Sequence, residues 1–259
     1  MDNCGALLGA LPGRKIFEKI FKKVLTNRNK CAIIIIQSKE KERVNQMEKY
    51  LIVDTETTNS LEEPMCYDIG FAVVDKQGNV YKEMSFVVAD IFLDKELMDS
   101  AYFKDKIPQY WNEIKEGKRV LASWNTISYL FRATVKEYGI EKAYAHNMRF
   151  DYRSLTLTQR FITKSKYRYF FPYGLEICDT LKMAREVLGH NQEYREFCES
   201  NGYLTANNQL RMTAEIIYRF LSGDNEFIES HTGLEDVMIE KEIFRYCIEH
   251  NPEFVGRLW

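Results

Sequence analysis

The sequence lacks the apolar run that a membrane-spanning helix needs, because its longest such stretch, Cys31 to Ile36, is far shorter than the ~20 residues required. It also lacks a strong net charge. The 36 basic and 38 acidic side chains leave −2 at neutral pH, which excludes a histone-like protein that holds long duplexes through their phosphates alone. Any contact with nucleic acid is therefore expected to be local, and we predict a soluble, cytoplasmic protein.

Cysteine pairs with metal-binding spacing are missing as well. No Cys-x-x-Cys pair or Cys/His cluster of the kind that binds structural zinc is present. The six cysteines are scattered at Cys4, Cys31, Cys66, Cys178, Cys198 and Cys247. We interpret them as reduced, mostly buried thiols of an intracellular protein.

Length and composition predict one compact domain with an appendage. The 259 residues, of which 45% are apolar, can bury one sizeable core. Residues 1–46 differ in kind, with ten Lys/Arg against four Asp/Glu, and the remainder has 26 basic against 34 acidic side chains. Lys15 to Leu25 places apolar residues at helical spacing between lysines, which indicates a basic amphipathic helix.

Three interpretations of residues 1–46 compete. They are a membrane-surface or partner-binding helix, a targeting segment, and a non-native or flexible upstream extension. We favour the extension, because the sequence from Met47 begins like a globular domain whose first strand starts at once. The predicted division is therefore a basic N-terminal extension at 1–46 and the working domain at 47–259.

The pattern from Tyr50 onwards predicts an α/β domain. Tyr50 to Glu56 is an apolar run that ends in acidic residues, as in a central strand buried on both faces. Ile69 to Asp75 and Val80 to Val88 flank a turn-forming stretch, so the sheet is expected to start with antiparallel pairs. Shorter strands are predicted at Ala143 to Asn147 and Leu175 to Cys178, with helices at 125–138, 151–163, 179–188, 211–221 and 234–249. The expected product is a mixed five-stranded sheet, three antiparallel strands and then parallel ones, flanked by helices.

The first candidate motif is Asp54-Thr-Glu56, at the end of the first predicted strand. Side chains two apart on a strand point to the same face, and two carboxylates so close repel each other unless a cation lies between them. An ordinary solvated pair is the alternative, since Asp-x-Glu also begins at Asp94 and Asp224 in polar surroundings. Only the first motif follows a continuous apolar strand, so its position, not its spacing, indicates a site.

Two further motifs lie at predicted helix starts. Asp151 opens a helix after a short strand, where an isolated aspartate is usually a cap. Thr232 and Glu235 form a capping box, which puts His231 and Asp236 at the two positions of a hydrophobic staple. Polar residues at these positions indicate a task other than packing. For an isolated pair, a His-Asp hydrogen bond that steadies the helix ranks first.

In this order, the three motifs resemble the DEDD superfamily of 3′-5′ exonucleases. The matching segments are Asp-Thr-Glu-Thr-Thr at 54–58, His-Asn-x-x-Phe-Asp at 146–151, and a histidine five residues before Asp236. That histidine points to the DEDDh branch, because the tyrosine branch needs a tyrosine where this chain has Thr232. The resemblance spans roughly 50–249 and implies a ribonuclease H-like fold. Asn59 and Gly233 depart from common family residues, at loop or cap positions only.

The resemblance implies a two-cation site and a proton acceptor. The implied metal ligands are Asp54, Glu56, Asp151 and Asp236, and His231 is the implied base for the attacking water. Hard oxygen ligands suit two Mg²⁺ or Mn²⁺ ions rather than zinc. Such a pair stabilises the attacking and leaving oxygens of an in-line displacement. The implied product is a nucleoside 5′-monophosphate, released from the 3′ end.

Six residues are candidate contacts for a single-stranded substrate. Four match positions that line the terminal-nucleotide pocket in the resembled family: Thr57, Thr58, Asn147 and Phe150. Arg149 and Arg153 open a basic and aromatic segment, 149–173, of the kind that follows single strands. Half of its rings are expected to be core. His146 is interpreted as a hydrogen-bonded structural residue.

Three functions remain open from the sequence. The favoured one is a DNA 3′-5′ exonuclease, with proofreading beside a separate DNA polymerase as its expected role. The second is an RNA 3′-end trimming enzyme, because selection at the 2′-hydroxyl leaves no linear motif. The third is a catalytically silent module that binds nucleic-acid ends or a partner protein. The complete set of four acids and His231 argues against the third.

Overall fold

A six-stranded mixed sheet forms the centre of the described chain. The computed structural model describes residues 47–58, 62–166 and 168–259, and the extension predicted at 1–46 lies outside them. The strands are β1 (Lys49–Thr58), β2 (Met65–Asp75), β3 (Val80–Val88), β4 (Val120–Ala122), β5 (Lys142–Ala145) and β6 (Glu176–Asp179). Their spatial order is β4-β3-β2-β1-β5-β6. The β1–β2 and β2–β3 pairs are antiparallel and the other three pairs are parallel, which confirms the predicted mixed sheet.

Helices cover both faces of this sheet. They are α1 (Ala89–Phe92), α2 (Lys95–Asp99), α3 (Ile107–Lys115), α4 (Trp124–Tyr138), α5 (Met148–Thr163), α6 (Thr180–Leu188), α7 (Gln192–Asn201), α8 (Ala214–Ser222) and α9 (Gly233–His250), with a 3₁₀ turn at Lys104–Lys106. Apolar residues of α1 to α5 pack into the core on one face, and those of α6 to α9 into the core on the other. None of the described helices combines the length and the apolar character that crossing a membrane requires.

The central position of β1 follows from its composition. Leu51, Ile52 and Val53 are fully buried, as the continuous apolar run predicts. Because successive side chains of a strand point to opposite faces, Leu51 and Val53 enter one core and Ile52 enters the other. Asp54 and Glu56 continue the row of Ile52, so they lie on the face that α9 covers.

Some predicted boundaries are wrong. The sheet has a sixth strand, β4, whose three residues are too few to produce an alternating pattern. The helix predicted at 125–138 begins one residue earlier, at Trp124, and Ser123 is its N-cap. The helix placed at 151 begins three residues earlier, at Met148, so Asp151 lies inside its first turn and does not cap it. Helices α1 to α3 and α7 were not predicted.

Thr232 is the N-cap of α9, as predicted, but its hydrogen bonds differ from a capping box. The Thr232 hydroxyl donates to Glu235 Oε2 at 2.8 Å, and no backbone amide of α9 donates to the Thr232 side chain. The Thr232 amide donates instead to Asp236 Oδ2, at 2.9 Å. The consequence is that the start of α9 fixes the orientation of the Asp236 carboxylate.

A buried ion pair holds β2, β4 and α9 together. Arg119 and Asp68 are 3% and 0% exposed, and the guanidinium Nη1 lies 3.1 Å from Asp68 Oδ2. Asp68 also accepts the Gly233 amide at 3.0 Å, at the first residue of α9. Arg119 further contacts Glu113 and, at 2.7 Å, Glu235. Asp68 therefore ties the start of α9 to the sheet.

Removing this cation is expected to destabilise the protein strongly. Arg119→Met keeps much of the side-chain volume but leaves Asp68 buried without its partner, which typically costs about 3–5 kcal/mol. Urea unfolding followed by circular dichroism measures the loss. Lys82→Met is the matched control, since it breaks a more exposed ion pair with Glu137 and should cost several times less. Equal midpoints for Arg119→Met and wild type would contradict this role.

Candidate active site

A close approach of two glycines brings α9 to β1. Asp54 pairs with Gly70 in the β1–β2 register. A Cβ atom at Gly70 would lie 2.3 Å from the backbone of Gly233, and one at Gly233 would lie 2.6 Å from the Gly70 nitrogen. Neither glycine leaves room for a side chain, so the first turn of α9 lies directly on β2 beside Asp54. Three residues after Gly233, the chain reaches Asp236.

Asp236 is held by the loop that leads into α9. Its residue is 4% exposed, and its carboxylate accepts the Thr232 amide at 2.9 Å and the Ser230 hydroxyl at 3.3 Å. Burial, followed by the charge of Glu229, raises the pKa of Asp236 to about 8. The carboxylate is therefore oriented by hydrogen bonds, and the charge of Lys106 lowers its pKa by less than burial and Glu229 raise it.

Asp151 reaches the same region from the opposite face of the sheet. It is 2% exposed, and it accepts a hydrogen bond from the Thr55 hydroxyl at 2.8 Å, so the residue between Asp54 and Glu56 holds it against β1. Asn147, just before α5, has the left-handed φ of 68°, and its amide donates to Asp179 Oδ1 at 3.0 Å. This turn starts α5 early and places Asp151 in its first turn.

The carboxylates influence one another strongly. Burial, then the charges of Glu240, Asp151, Asp236 and Glu56, raises the pKa of Asp54 well above its usual value. Burial raises the pKa of Glu56 to about 9, with Asp236 the largest charge contribution. Burial likewise raises the pKa of Asp151 to about 7, against a lowering by the Thr55 hydrogen bond. The four predicted acids therefore share one electrostatic environment.

His231 stands at the exposed side of this cluster. One ligand atom from each of Glu56, His231 and Asp236 lies within 4.8 Å of the other two. The His231 ring stacks on Phe103, with centroids 4.4 Å apart, and its backbone has the left-handed φ of 48°. Burial, then the charge of Lys106, lowers the pKa of His231. A neutral imidazole next to two acids can accept a proton.

The donor set fits divalent cations. Asp54 is half-buried, but its Oδ2 atom is buried and has no hydrogen-bond partner in the part of the chain that the structure describes. A buried carboxylate oxygen without a donor costs free energy unless a cation or a proton satisfies it. The neighbouring ligand atoms, from Glu56, His231 and Asp236, are carboxylate oxygens and an imidazole nitrogen, and none of the three is a thiolate. This chemistry suits Mg²⁺ or Mn²⁺.

The residues that are predicted to contact the substrate differ in their solvent exposure. Asn147 and Arg149 are exposed, and Thr57 and Phe150 are half-buried. Thr58 is fully buried, and its hydroxyl donates to the Met65 carbonyl at 3.5 Å. Arg153 donates to the Glu62 carbonyl. In the segment 149–173, Phe170 and Phe171 are core residues, whereas Tyr169 and Tyr173 are exposed.

His146 is hydrogen-bonded through both ring nitrogens. Its Nδ1 lies 3.2 Å from the Thr180 hydroxyl and its Nε2 lies 2.7 Å from the Met212 carbonyl. Burial lowers the pKa of His146. These contacts agree with its interpretation as a structural residue.

Three residues of the site were missed from the sequence. Glu240 is a buried acid one helical turn after Asp236, so its i+4 spacing was a usable signal. Phe103 and Lys106 come from the unpredicted segment before α3. The Lys106 ammonium donates to the carbonyls of Ser230 and His231, and no sequence pattern joins residues so far apart.

Comparison with solved structures places the fold among known ones. Exonuclease I of E. coli, in complex with an oligonucleotide, has a TM-score of 0.50 at 10% identity, covering 80% of this chain and 41% of exonuclease I. This chain has the ribonuclease H-like fold. Exonuclease X, in complex with duplex DNA, has a TM-score of 0.41 at 18% identity, and the match covers 80% of this chain and 95% of exonuclease X. Pop2p of S. pombe, bound to Mg²⁺ and Mn²⁺, has a TM-score of 0.48 at 11% identity, and the match covers 79% of this chain and 84% of Pop2p.

The chain spans 41% of the length of exonuclease I. No protein-family model and no curated protein matches it in sequence. At 10% identity, the similarity to exonuclease I supports the fold alone. The activity is inferred from the site itself.

Proposed function

We propose that this protein is a two-cation 3′-5′ exonuclease of the DEDDh type that acts on single-stranded DNA. The observation that carries the proposal is the unpartnered, buried Oδ2 atom of Asp54 among further acids whose pKa values are raised. Such a cluster is unfavourable without cations and favourable with them. In this proposal Asp54, Glu56, Asp151 and Asp236 hold two Mg²⁺ or Mn²⁺ ions.

Each residue of the site has a separate role in the proposed reaction. Cations held by these acids would supply charge stabilisation for the phosphoryl group and would lower the pKa of bound water. His231 accepts the proton of the attacking water, and its lowered pKa keeps the imidazole neutral near pH 7. Phe103 holds the imidazole plane by stacking, and the Thr55 hydroxyl holds Asp151. The product is a nucleoside 5′-monophosphate.

Substrate contacts are proposed on the exposed rim of the site. Asn147 and Arg149 are exposed beside Asp151, and Thr57 and Phe150 are half-buried there. Exonuclease I of E. coli, which has the same fold, forms a complex with single-stranded DNA. We favour DNA on this basis. A proofreading role beside a separate polymerase and a cytoplasmic location remain predictions, as does the division of the chain at residue 47.

One assay tests the activity and its substrate. End-labelled DNA and RNA oligomers of the same sequence are incubated with the full chain while Mg²⁺ is titrated. We expect laddering from the 3′ end that needs Mg²⁺ and is faster on DNA. Faster cleavage of RNA would replace DNA with RNA as the substrate. Binding without cleavage of either strand would indicate the silent end-binding module and overturn the proposal.

The variant His231→Asn tests whether His231 acts as a general base or as a metal ligand. Loss of a general base lowers turnover about 10²–10⁴-fold. We expect a loss in this range while Mn²⁺ affinity, measured by calorimetry, stays within about threefold of wild type. His250→Asn, at an exposed histidine on α9, is the matched control. A large loss of Mn²⁺ affinity in His231→Asn would make His231 a ligand instead.

A further inference from the structure

An additional acid lies beside the four that the sequence motifs identify. Glu240 is 3% exposed on α9, four residues after Asp236. Residues four apart on a helix share a face, so Glu240 lies on the side of α9 that carries Asp236 towards β1. It matches none of the three motifs, and the proposed four-ligand site does not use it.

The two oxygens of Glu240 have different surroundings. Oε1 accepts the backbone amide of His146 at 2.9 Å, at the end of β5. Oε2 is buried and has no hydrogen-bond partner within residues 47–58, 62–166 and 168–259. Asp54 Oδ2 is the other carboxylate oxygen with this property among the described residues. Two buried acceptors without donors in one acidic cluster indicate that something positive belongs between them.

The geometry separates the acids of the cluster. Glu56, Asp236 and His231 have ligand atoms within 4.8 Å of one another, and Asp54 and Glu240 are outside that group. Asp54 and Glu240 instead carry the two buried carboxylate oxygens that have no donor among the described residues. These two oxygens are therefore the ones that a cation would have to satisfy.

We propose that Glu240 is a fifth carboxylate of the cation site, and that its Oε2 atom would satisfy the same positive charge as Asp54 Oδ2. This inference rests on the proposed function for the presence of two ions. Oε1 meanwhile fixes the strand end that leads to Asp151.

A Mn²⁺ titration of the full chain without nucleic acid tests the role of Glu240. Glu240→Gln keeps an oxygen for the His146 amide and removes only the charge. We expect wild type to bind two ions and Glu240→Gln to bind the weaker one at least about 10–100-fold less tightly, since the loss of a group that only supports metal ligands already costs this much. Glu249→Gln, on the exposed side of α9, should bind as wild type does.

A second variant separates charge from positioning. Glu240→Met removes both the charge and the acceptor for His146. Equal weakening of Mn²⁺ binding in Glu240→Gln and Glu240→Met supports the fifth carboxylate. Wild-type binding in Glu240→Gln would overturn it and leave Glu240 as a hydrogen-bond acceptor only, with the nuclease proposal intact. Absence of Mn²⁺ binding in wild type would overturn both. Melting curves without metal check the fold, and we expect Glu240→Gln to melt above wild type.

Discussion

Asp54→Asn is expected to lower the rate of 3′-end release at least about 10³-fold, because the loss of one carboxylate of the proposed cation site would remove several kcal/mol of transition-state stabilisation. The same change removes one charge from a buried acidic cluster. The metal-free variant should therefore melt at or above the temperature of wild type. Single-turnover degradation of an end-labelled strand measures the first effect, and circular dichroism measures the second.

Asp224→Asn is the matched control for this experiment. Asp224 begins an exposed Asp-x-Glu with the same spacing, and its side chain accepts the Glu226 amide at 3.1 Å, which asparagine can also do. The control should retain full activity. Full activity in Asp54→Asn would refute the nuclease site, whereas lost activity with an unfolded spectrum would refute the claim that the acids oppose folding.

The stability of the metal-free protein is expected to fall as pH rises. Burial raises the pKa of Asp151 to about 7, of Asp236 to about 8 and of Glu56 to about 9. Each folded-state pKa lies above the unfolded one, so the folded chain binds more protons. Their contribution to stability is full below about pH 4 and is lost as pH rises through 7 to 9. We expect a drop of at least about 5 °C in melting temperature between pH 5.5 and 9.

Mg²⁺ should reverse this loss, because cations and protons compete for the same oxygens. At about 100 times its dissociation constant, one ion stabilises by about 2.7 kcal/mol, which is roughly 5–10 °C for a domain of this size. The gain should be larger at pH 9 than at pH 5.5. Melting curves with Mg²⁺ or with K⁺ at matched ionic strength measure it. Equal gains from the two salts at both pH values would mean screening alone and would contradict a cation site.

Local patterns predicted β1 and the start of α9 because their signals lie within a few residues. The apolar run before Asp54 is long enough to show burial on both faces, and Thr232 has its capping partner three residues away. β4 and α7 were missed for the opposite reason. β4 has three residues, and burial of the short α7 depends on Tyr194 and Cys198, which pack into a core built by distant elements. Asp151 was placed correctly as an acid near a helix start, but the early turn at Asn147 was not foreseen.

The sequence by itself determined which residue types are available: an acid pair after a buried strand, an aspartate after the fourth predicted strand, and a His-x₄-Asp motif at a helix start. Only the tertiary structure decided that these groups meet, and that Glu240 joins them. Gly70 and Gly233 allow α9 to lie on β2 at backbone distance, and Arg119 with Asp68 holds the start of α9 there. Such contacts join residues between 51 and 165 positions apart, whereas the periodicity of a sequence indicates only neighbours within a few turns.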